Sequence, residues 1–422
     1  MEKKQNYTIP IIVMFLLFFM IAFVTNFAGS MGVIVKNQFG TSNAVAQLGT
    51  LANFIAYACM GIPAGVILRR KGYKFTSLLA VTVGLVGVGV QFLSGYVESF
   101  AVYVAGALVA GFSMCLLNIV VNPMLNTLGG GGNRGNQLIQ WGGTINSTGG
   151  TLAPILLGYL IGGAVDKASV SDAAPAMIIA MAIFAVAFVV IMLTRIPEPH
   201  LEKAESGKQK EEKGKYSPLS FRHFVLGAVA IFFYVGVEVG IPNTANLYMT
   251  TSASGGGLGL GADLAGWFIG AYWFLMLCGR FIGGLLGGKV SSKAMLSTTA
   301  MIAIAFLLCL ILIPESGTVH LHGADVPLKI AFATLCGLCT SVMWGAIFNL
   351  ATEGLGKYTA IASGAFMTMV FGFAIMVGLQ GLVADWTGSY MTSYVVVLFC
   401  AAYILFYALW GSKNVNKDIP VE

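Results

Sequence analysis

The chain has 422 residues, 57% of them hydrophobic and 9% charged. A soluble protein carries about 25% charged residues, and only a bilayer accommodates so much apolar surface over this length. The net charge of +6 does not form a nucleic-acid face, because the Lys and Arg residues mark loops between apolar runs and do not cluster.

A spanning helix takes about 20 residues, so there is room for about twelve spans with short loops. The first apolar run, Ile11–Val24, follows Met1-Glu2-Lys3-Lys4 and resembles a signal peptide. It continues past Asn26 to Val35 with nothing soluble behind it, and reads as a retained first helix. Spans are read at 8–36, 43–68, 75–95, 99–128, 136–163, 173–195, 222–250, 262–288, 292–313, 327–355, 358–384 and 389–411. On alternating sides, twenty of the 23 basic residues fall at one end and three (Lys36, Lys167 and Lys329) at the other. This bias puts both termini in the cytoplasm of a multi-pass inner-membrane protein.

Glu198–Ser217 is the one long charged stretch between spans and reads as a flexible, partly helical linker. The division is residues 1–196 as an N-terminal six-helix half, 197–217 as a cytoplasmic linker and 218–422 as a C-terminal six-helix half. Gly65 to Lys74 and Gly284 to Lys293 repeat a spacing of nine at an offset of 219. Paired six-helix halves are a transporter architecture, although Gly-rich helices also produce such repeats by chance. The fold class is an all-α membrane protein of twelve transmembrane helices in two halves.

Other motifs read blandly. The seven cysteines lie in apolar segments, as membrane packing and not as a disulfide framework. Cys336-Gly-Leu-Cys339 sits in a helical pattern with no nearby His, as small interface residues. Gly129–Gly132 precedes Asn133-Arg134 and is a turn, not a phosphate loop. His320 and His322 fall in a loop of the less basic side. No metal site or cofactor is assigned, and a membrane enzyme would need clustered catalytic groups that the spans lack.

Polar side chains inside spans are costly and face a cavity or a partner. Cys115, Asn118, Asn122 and Asn126 form one stripe in the fourth span. Gln137, Gln140, Thr144, Ser147 and Thr151 form another in the fifth, where Asn146 also lies. Tyr234, Glu238, Asn243 and Asn246 mark the seventh, Trp267 and Trp273 the eighth, Trp344 and Asn349 the tenth, and Gln380 the eleventh. Amides that donate and accept, with an indole face beside them, suit a small neutral polyol such as a sugar. The lining candidates are Asn118, Asn122, Gln140, Asn146, Glu238, Asn243, Asn246, Trp273, Trp344, Asn349 and Gln380. Each has an equal alternative as a plain interhelical hydrogen bond. Glu238 is the acidic residue read at mid-membrane, as sugar acceptor or as coupling group for a proton or sodium. Arg69, Arg70, Lys74 and Arg280 are read with the gate at the basic end.

Ile62-Pro63-Ala64-Gly65 with Gly72-Tyr73-Lys74, Asn122-Pro123 with Leu128-Gly129, Tyr234–Val239, Gly279–Gly283, Leu355-Gly356 with Ser363-Gly364, and Leu379-Gln380-Gly381 with Ala384-Asp385 resemble, in order, motifs of the fucose:proton symporter family of the major facilitator superfamily. The seventh-span motif resembles that of its glucose/galactose branch. The resemblance implies a central sugar site, alternating access and proton or sodium symport. The chain departs from the family at Val33 and Asn118, where the fucose symporter carries the two carboxylates linked to proton coupling. It also lacks the acidic residue near Arg69. Coupling then rests on Glu238, on sodium, or is absent in a facilitator. A multidrug or other-solute exporter on the same fold is the remaining alternative, and it calls for a large apolar pocket.

Overall fold

The computed structural model describes residues 7–39, 48–160, 169–198, 216–314, 316–321 and 324–421. Most of the expected linker, together with Lys167, His322 and the side chain of Val33, lies outside them. The described chain is helical. The helices are α1 (Thr8–Phe39), α2 (Leu48–Tyr96), α3 (Phe100–Leu128), α4 (Gly132–Leu160), α5 (Ala174–Leu193), α6 (Arg222–Thr250), α7 (Ala262–Leu286), α8 (Ser292–Leu312), α9 (Lys329–Thr340), α10 (Met343–Thr352), α11 (Thr359–Thr368), α12 (Gly372–Thr387) and α13 (Tyr390–Phe406). Between α8 and α9, β1 (Thr318–Leu321) pairs antiparallel with β2 (Ala324–Pro327). This small hairpin was not expected from the sequence.

Ten helices among the described residues are long and apolar enough to cross a membrane. One of them, α2, is two spans joined at Gly72, where φ is 83° and ψ 177°. The 29-residue α4 is long enough to span but is less apolar, being rich in Gln, Asn, Thr and Gly. Counting both gives twelve membrane-length helices. Two spans are broken: α9 and α10 meet at Ser341-Val342, and α11 meets α12 through a short 3₁₀ turn at Met369–Phe371.

Local chemistry sets the ends. The Ser291 and Ser389 hydroxyls accept from the Ala294 and Thr392 amides and cap α8 and α13. Gly130, Gly131 and Gly132 turn between α3 and α4 with φ of 77°, 73° and 54°, a left-handed run that glycine adopts without a Cβ penalty. At Gly72 the same freedom lets the Glu198 carboxylate accept from the Tyr73 and Lys74 amides, each at 2.7 Å. The Lys74 ammonium then donates to the carbonyls of Met192 and Thr194 at 2.8 and 2.9 Å, at the end of α5. Lys74 thus fastens α2 to α5 within the N-terminal set of helices; these bonds do not bridge to the C-terminal set, as a gate would. Arg69 and Arg70 are exposed at the same end.

The two sets of helices meet at the basic end. A Cβ on Gly61 would lie 2.7 Å from the Gly364 carbonyl, and one on Gly65 would lie 3.0 Å from the Ala360 carbonyl, so α2 and α11 touch backbone to backbone. Across the pseudo-symmetric pair, a Cβ on Gly284 would meet the Trp141 ring at 2.8 Å, and one on Gly287 would meet Gln137 at 3.0 Å. Gly65 and Gly284, the repeat pair of the sequence, are therefore both contact points between the sets. At the other end, Gly266 and Gly270 of α7 and Gly378 and Gly381 of α12 have nothing within 4 Å of a built Cβ. The helix sets are in close backbone contact at the basic end.

A Cβ on Gly72 would fall 2.5 Å from the Glu198 carboxylate and would sit at a left-handed φ. Gly72→Ala is expected to destabilise the protein by roughly 1–2 kcal/mol, seen as a lower melting temperature in detergent than that of Gly89→Ala, where the nearest atom is 3.8 Å away.

Candidate functional site: a central cavity between the two sets of helices

A cavity of about 230 Å³ lies between the helix sets and is lined from both. Its polar lining comprises Thr25, Asn26, Asn53, Tyr57, Asn118, Gln140, Asn146, Glu238, Arg280 and Ser341, with Trp344 among the aromatic residues. Phe54 of α2 stacks on Phe373 of α12 at one wall, ring centroids 4.2 Å apart.

Proline creates part of the site. Pro242 has no N–H to give the carbonyl one turn earlier, that of Glu238. The Tyr272 hydroxyl fills the gap, donating to that carbonyl at 2.8 Å. The Glu238 side chain faces the cavity, where its Oε1 lies 3.1 Å from Arg280 Nη2; the two side chains are 16% and 13% exposed. Arg280 reaches further, to Ser147 Oγ at 2.7 Å and to the carbonyls of Gly143 and Ser341 at 3.4 Å each. Its charge is therefore shared between α6 in its own set and α4 in the other. The sequence reading put Arg280 near the gate at the basic end. It stands in the cavity instead, because its residue on α7 points toward α6 and α4.

At the break between α9 and α10, side chains from three different helices donate to backbone carbonyls, the one on Val342 also accepting the Ala346 amide at 3.1 Å. Thr340 accepts from the Tyr234 hydroxyl at 3.2 Å, Ser341 from Arg280 Nε at 3.4 Å, and Val342 from Gln140 Nε2 at 2.9 Å. Toward the basic end, Trp344 Nε1 donates to Asn122 Oδ1 at 3.2 Å, Gln137 Nε2 to the Gly284 carbonyl at 3.0 Å, and Asn349 Nδ2 to the Gly132 carbonyl at 3.2 Å. Every one of these three, and the Gln140 bond, joins one helix set to the other beneath the cavity.

Of the lining candidates from the sequence, Asn118, Gln140, Asn146, Glu238 and Trp344 line the cavity. Asn122 and Asn349 are buried in the bonds that seal its floor. Asn243 is exposed, Asn246 half-buried, and Trp273 41% exposed with its ring edge-on to Tyr272; none of the three lines the cavity. Gln380 is buried beside Gly240, its amide without a hydrogen-bond partner among the described residues. It too is outside the cavity lining.

The sequence reading missed Thr25, Asn26, Asn53 and Tyr57. The signal was present: Thr25-Asn26 interrupts an unbroken apolar run, and Asn53 and Tyr57 are one turn apart on α2. Asn118 donates to the Tyr57 hydroxyl at 2.8 Å and Asn146 to the Phe18 carbonyl at 2.8 Å. Among the described residues no group of three or more His, Cys, Asp or Glu could hold a metal.

Two six-helix sets around a shared cavity, sealed at one end by hydrogen bonds and glycine contacts, define a membrane transporter. The model of the Major Facilitator Superfamily matches residues 13–379, and the chain belongs to that superfamily. It is 28% identical over 415 residues to the glucose/galactose transporter of Brucella abortus biovar 1 (strain 9-941), covering 98% of this chain and 96% of that one. It is 25% identical over 436 residues to the L-fucose-proton symporter of Escherichia coli K12, covering 98% and 96%. Its fold matches the crystal structure of FucP in the outward conformation with a TM-score of 0.83 and 21% identity, over 97% of this chain and 100% of that one.

Each floor bond is worth about 1 kcal/mol in a membrane protein. Gln140→Leu is expected to weaken the closed end about fivefold relative to its open alternative. Spin labels at the exposed positions of Arg134 and Lys289 would then show an added longer distance; an unchanged distribution would remove Gln140 from the seal.

Proposed function

We propose that this protein carries a small neutral monosaccharide, a hexose or a related sugar, across the bacterial inner membrane by alternating access. One observation supports the reading above the others. The shared cavity presents Asn26, Asn53, Asn118, Gln140 and Asn146 among apolar residues such as Phe18, Phe54 and Phe373, and its two charged residues, Glu238 and Arg280, neutralise each other. Amides and hydroxyls meet sugar hydroxyls as both donors and acceptors, and the Trp344 ring offers an apolar face. The volume of about 230 Å³ is below the roughly 300–1,000 Å³ of sites for drug-sized ligands, which argues against the multidrug alternative. The names of the glucose/galactose and fucose relatives point the same way.

The bias of basic residues supports cytoplasmic termini, and on that orientation the sealed end is the inner one and the cavity opens outward. A sugar entering from outside meets Asn118, Gln140, Asn146 and Trp344. Trp344 and Gln140 also hold the floor, so a hydroxyl competing for either weakens the seal from above. Opening the floor and closing the outer ends of α4 and α7 would complete the exchange of access.

Asn118 and Val33 cannot carry a proton, so coupling to a proton would fall to Glu238, the acidic residue of the cavity lining. A proton on Glu238 cancels its attraction for Arg280 and frees the guanidinium to turn to sugar oxygens or to α4. Sodium at the carboxylate would have the same consequence. Uptake into liposomes with D-glucose, D-galactose and L-fucose, under separately imposed proton and sodium gradients, distinguishes the two ions from a facilitator. Glu238→Gln should abolish gradient-driven accumulation and leave sugar exchange. Full accumulation in that variant would remove Glu238 from coupling.

Binding to the wild type should also weaken by about tenfold for each hydrogen-bonded hydroxyl replaced by hydrogen. Deoxy sugars that bind as well as the parents would overturn the sugar assignment.

A further inference from the structure

Arg280 is a strong carboxylate-binding group held short of its full capacity. A guanidinium pairs best with a carboxylate through two parallel hydrogen bonds. Here one Glu238 oxygen meets one nitrogen, Nη2, at 3.1 Å. Its Nη1 is directed to the neutral Ser147 hydroxyl at 2.7 Å and to the Gly143 carbonyl at 3.4 Å, and Nε to the Ser341 carbonyl at 3.4 Å. All these partners stand on the wall of the cavity or next to it, and among the described residues no other charged one lines it. The pair is 13% and 16% exposed, so a solute in the cavity can approach it.

We infer that Glu238, in its ionised form, is a specificity determinant that keeps acidic sugars out of the cavity by occupying Arg280. This rests on the sugar reading above and adds the class that is refused. A hexuronate differs from a hexose at one carbon, where a carboxylate replaces a hydroxymethyl group. It fits wherever the hexose fits, so size alone does not exclude it. Its charge does. Beside ionised Glu238 a second carboxylate meets a like charge in a partly desolvated site, and such a juxtaposition is strongly unfavourable. Removing the charge of Glu238 while keeping its shape leaves Arg280 with no anion. The cavity then holds one unpaired cation surrounded by sugar-binding amides, which is the composition of a uronate site.

The test is equilibrium binding to the purified full-length protein, with radiolabelled ligand. The probes are D-galactose, D-galacturonate and the methyl ester of D-galacturonic acid, with the matching glucose series. Wild type should bind the hexose and the neutral ester and bind the uronate at least tenfold more weakly than the ester. Glu238→Gln should gain uronate binding at least tenfold over wild type. The double variant Glu238→Gln with Arg280→Gln should lose that gain, because the attraction is to the guanidinium and not to a vacated space. The wild-type comparison of ester with acid needs no variant, and it stands even where Glu238→Gln does not fold. Equal binding of acid and ester to wild type would overturn the inference. So would a folded Glu238→Gln that gains no affinity for the acid, or a double variant that retains the gain. If wild type binds the hexose but not the ester, the inference fails while the sugar reading survives. Binding of neither neutral sugar would sink both.

Discussion

A carboxylate and a guanidinium 3.1 Å apart, each mostly buried, set the terms for the centre of this molecule. Either charge left alone at that depth is costly, so each favours the other as its partner. Around this pair the protein places neutral amides, hydroxyls and an indole. Because Arg280 also reaches Ser147 on α4, the pair is tied mechanically to the opposite helix set. Any event that changes the charge of Glu238 therefore acts on the joint between the sets as well as on the solute.

The backbone around the pair shows how a helix can be broken without cost to its hydrogen bonds. Pro242 frees the Glu238 carbonyl, and Tyr272 takes it. At the break after α9, Tyr234 and Arg280 donate to the carbonyls of Thr340 and Ser341, and Gln140 adds a second donor to that of Val342. Hydrocarbon supplies no water for such groups, so each irregularity must carry its own side-chain partner. The partners come from different helices, and in the case of Gln140 from the other set. An irregularity in one helix is thereby converted into a contact between two bodies.

The closed end combines two kinds of contact. Glycines at 61, 65 and 364 let α2 and α11 touch without intervening side chains. The hydrogen bonds of Gln137, Gln140, Trp344 and Asn349 then fix the register. Glycine contacts hold through dispersion alone and the bonds are individually modest. Such a seal is weaker than a large interlocked apolar core.

The sequence by itself determined the membrane class, the twelve spans, their two sets of six and the bias of basic charge. These follow from composition and hydropathy, which act locally and leave a mark at every residue. It also singled out Glu238, because a carboxylate within an apolar run needs a reason wherever it points. Polar stripes named Asn118, Gln140, Asn146 and Trp344 for the same cause. Only the tertiary structure decided which polar residues face the cavity and which face a neighbouring helix. Asn122 and Asn349 look no different from Asn118 along the chain, yet they seal the floor. Thr25, Asn26, Asn53 and Tyr57 gave weak local signals and line the cavity. Arg280 is the plainest case: 42 residues separate it from Glu238, and nothing in the spacing joins them. Their pairing depends on how α7 is turned against α6, which is a property of packing across helices and leaves no period in the sequence.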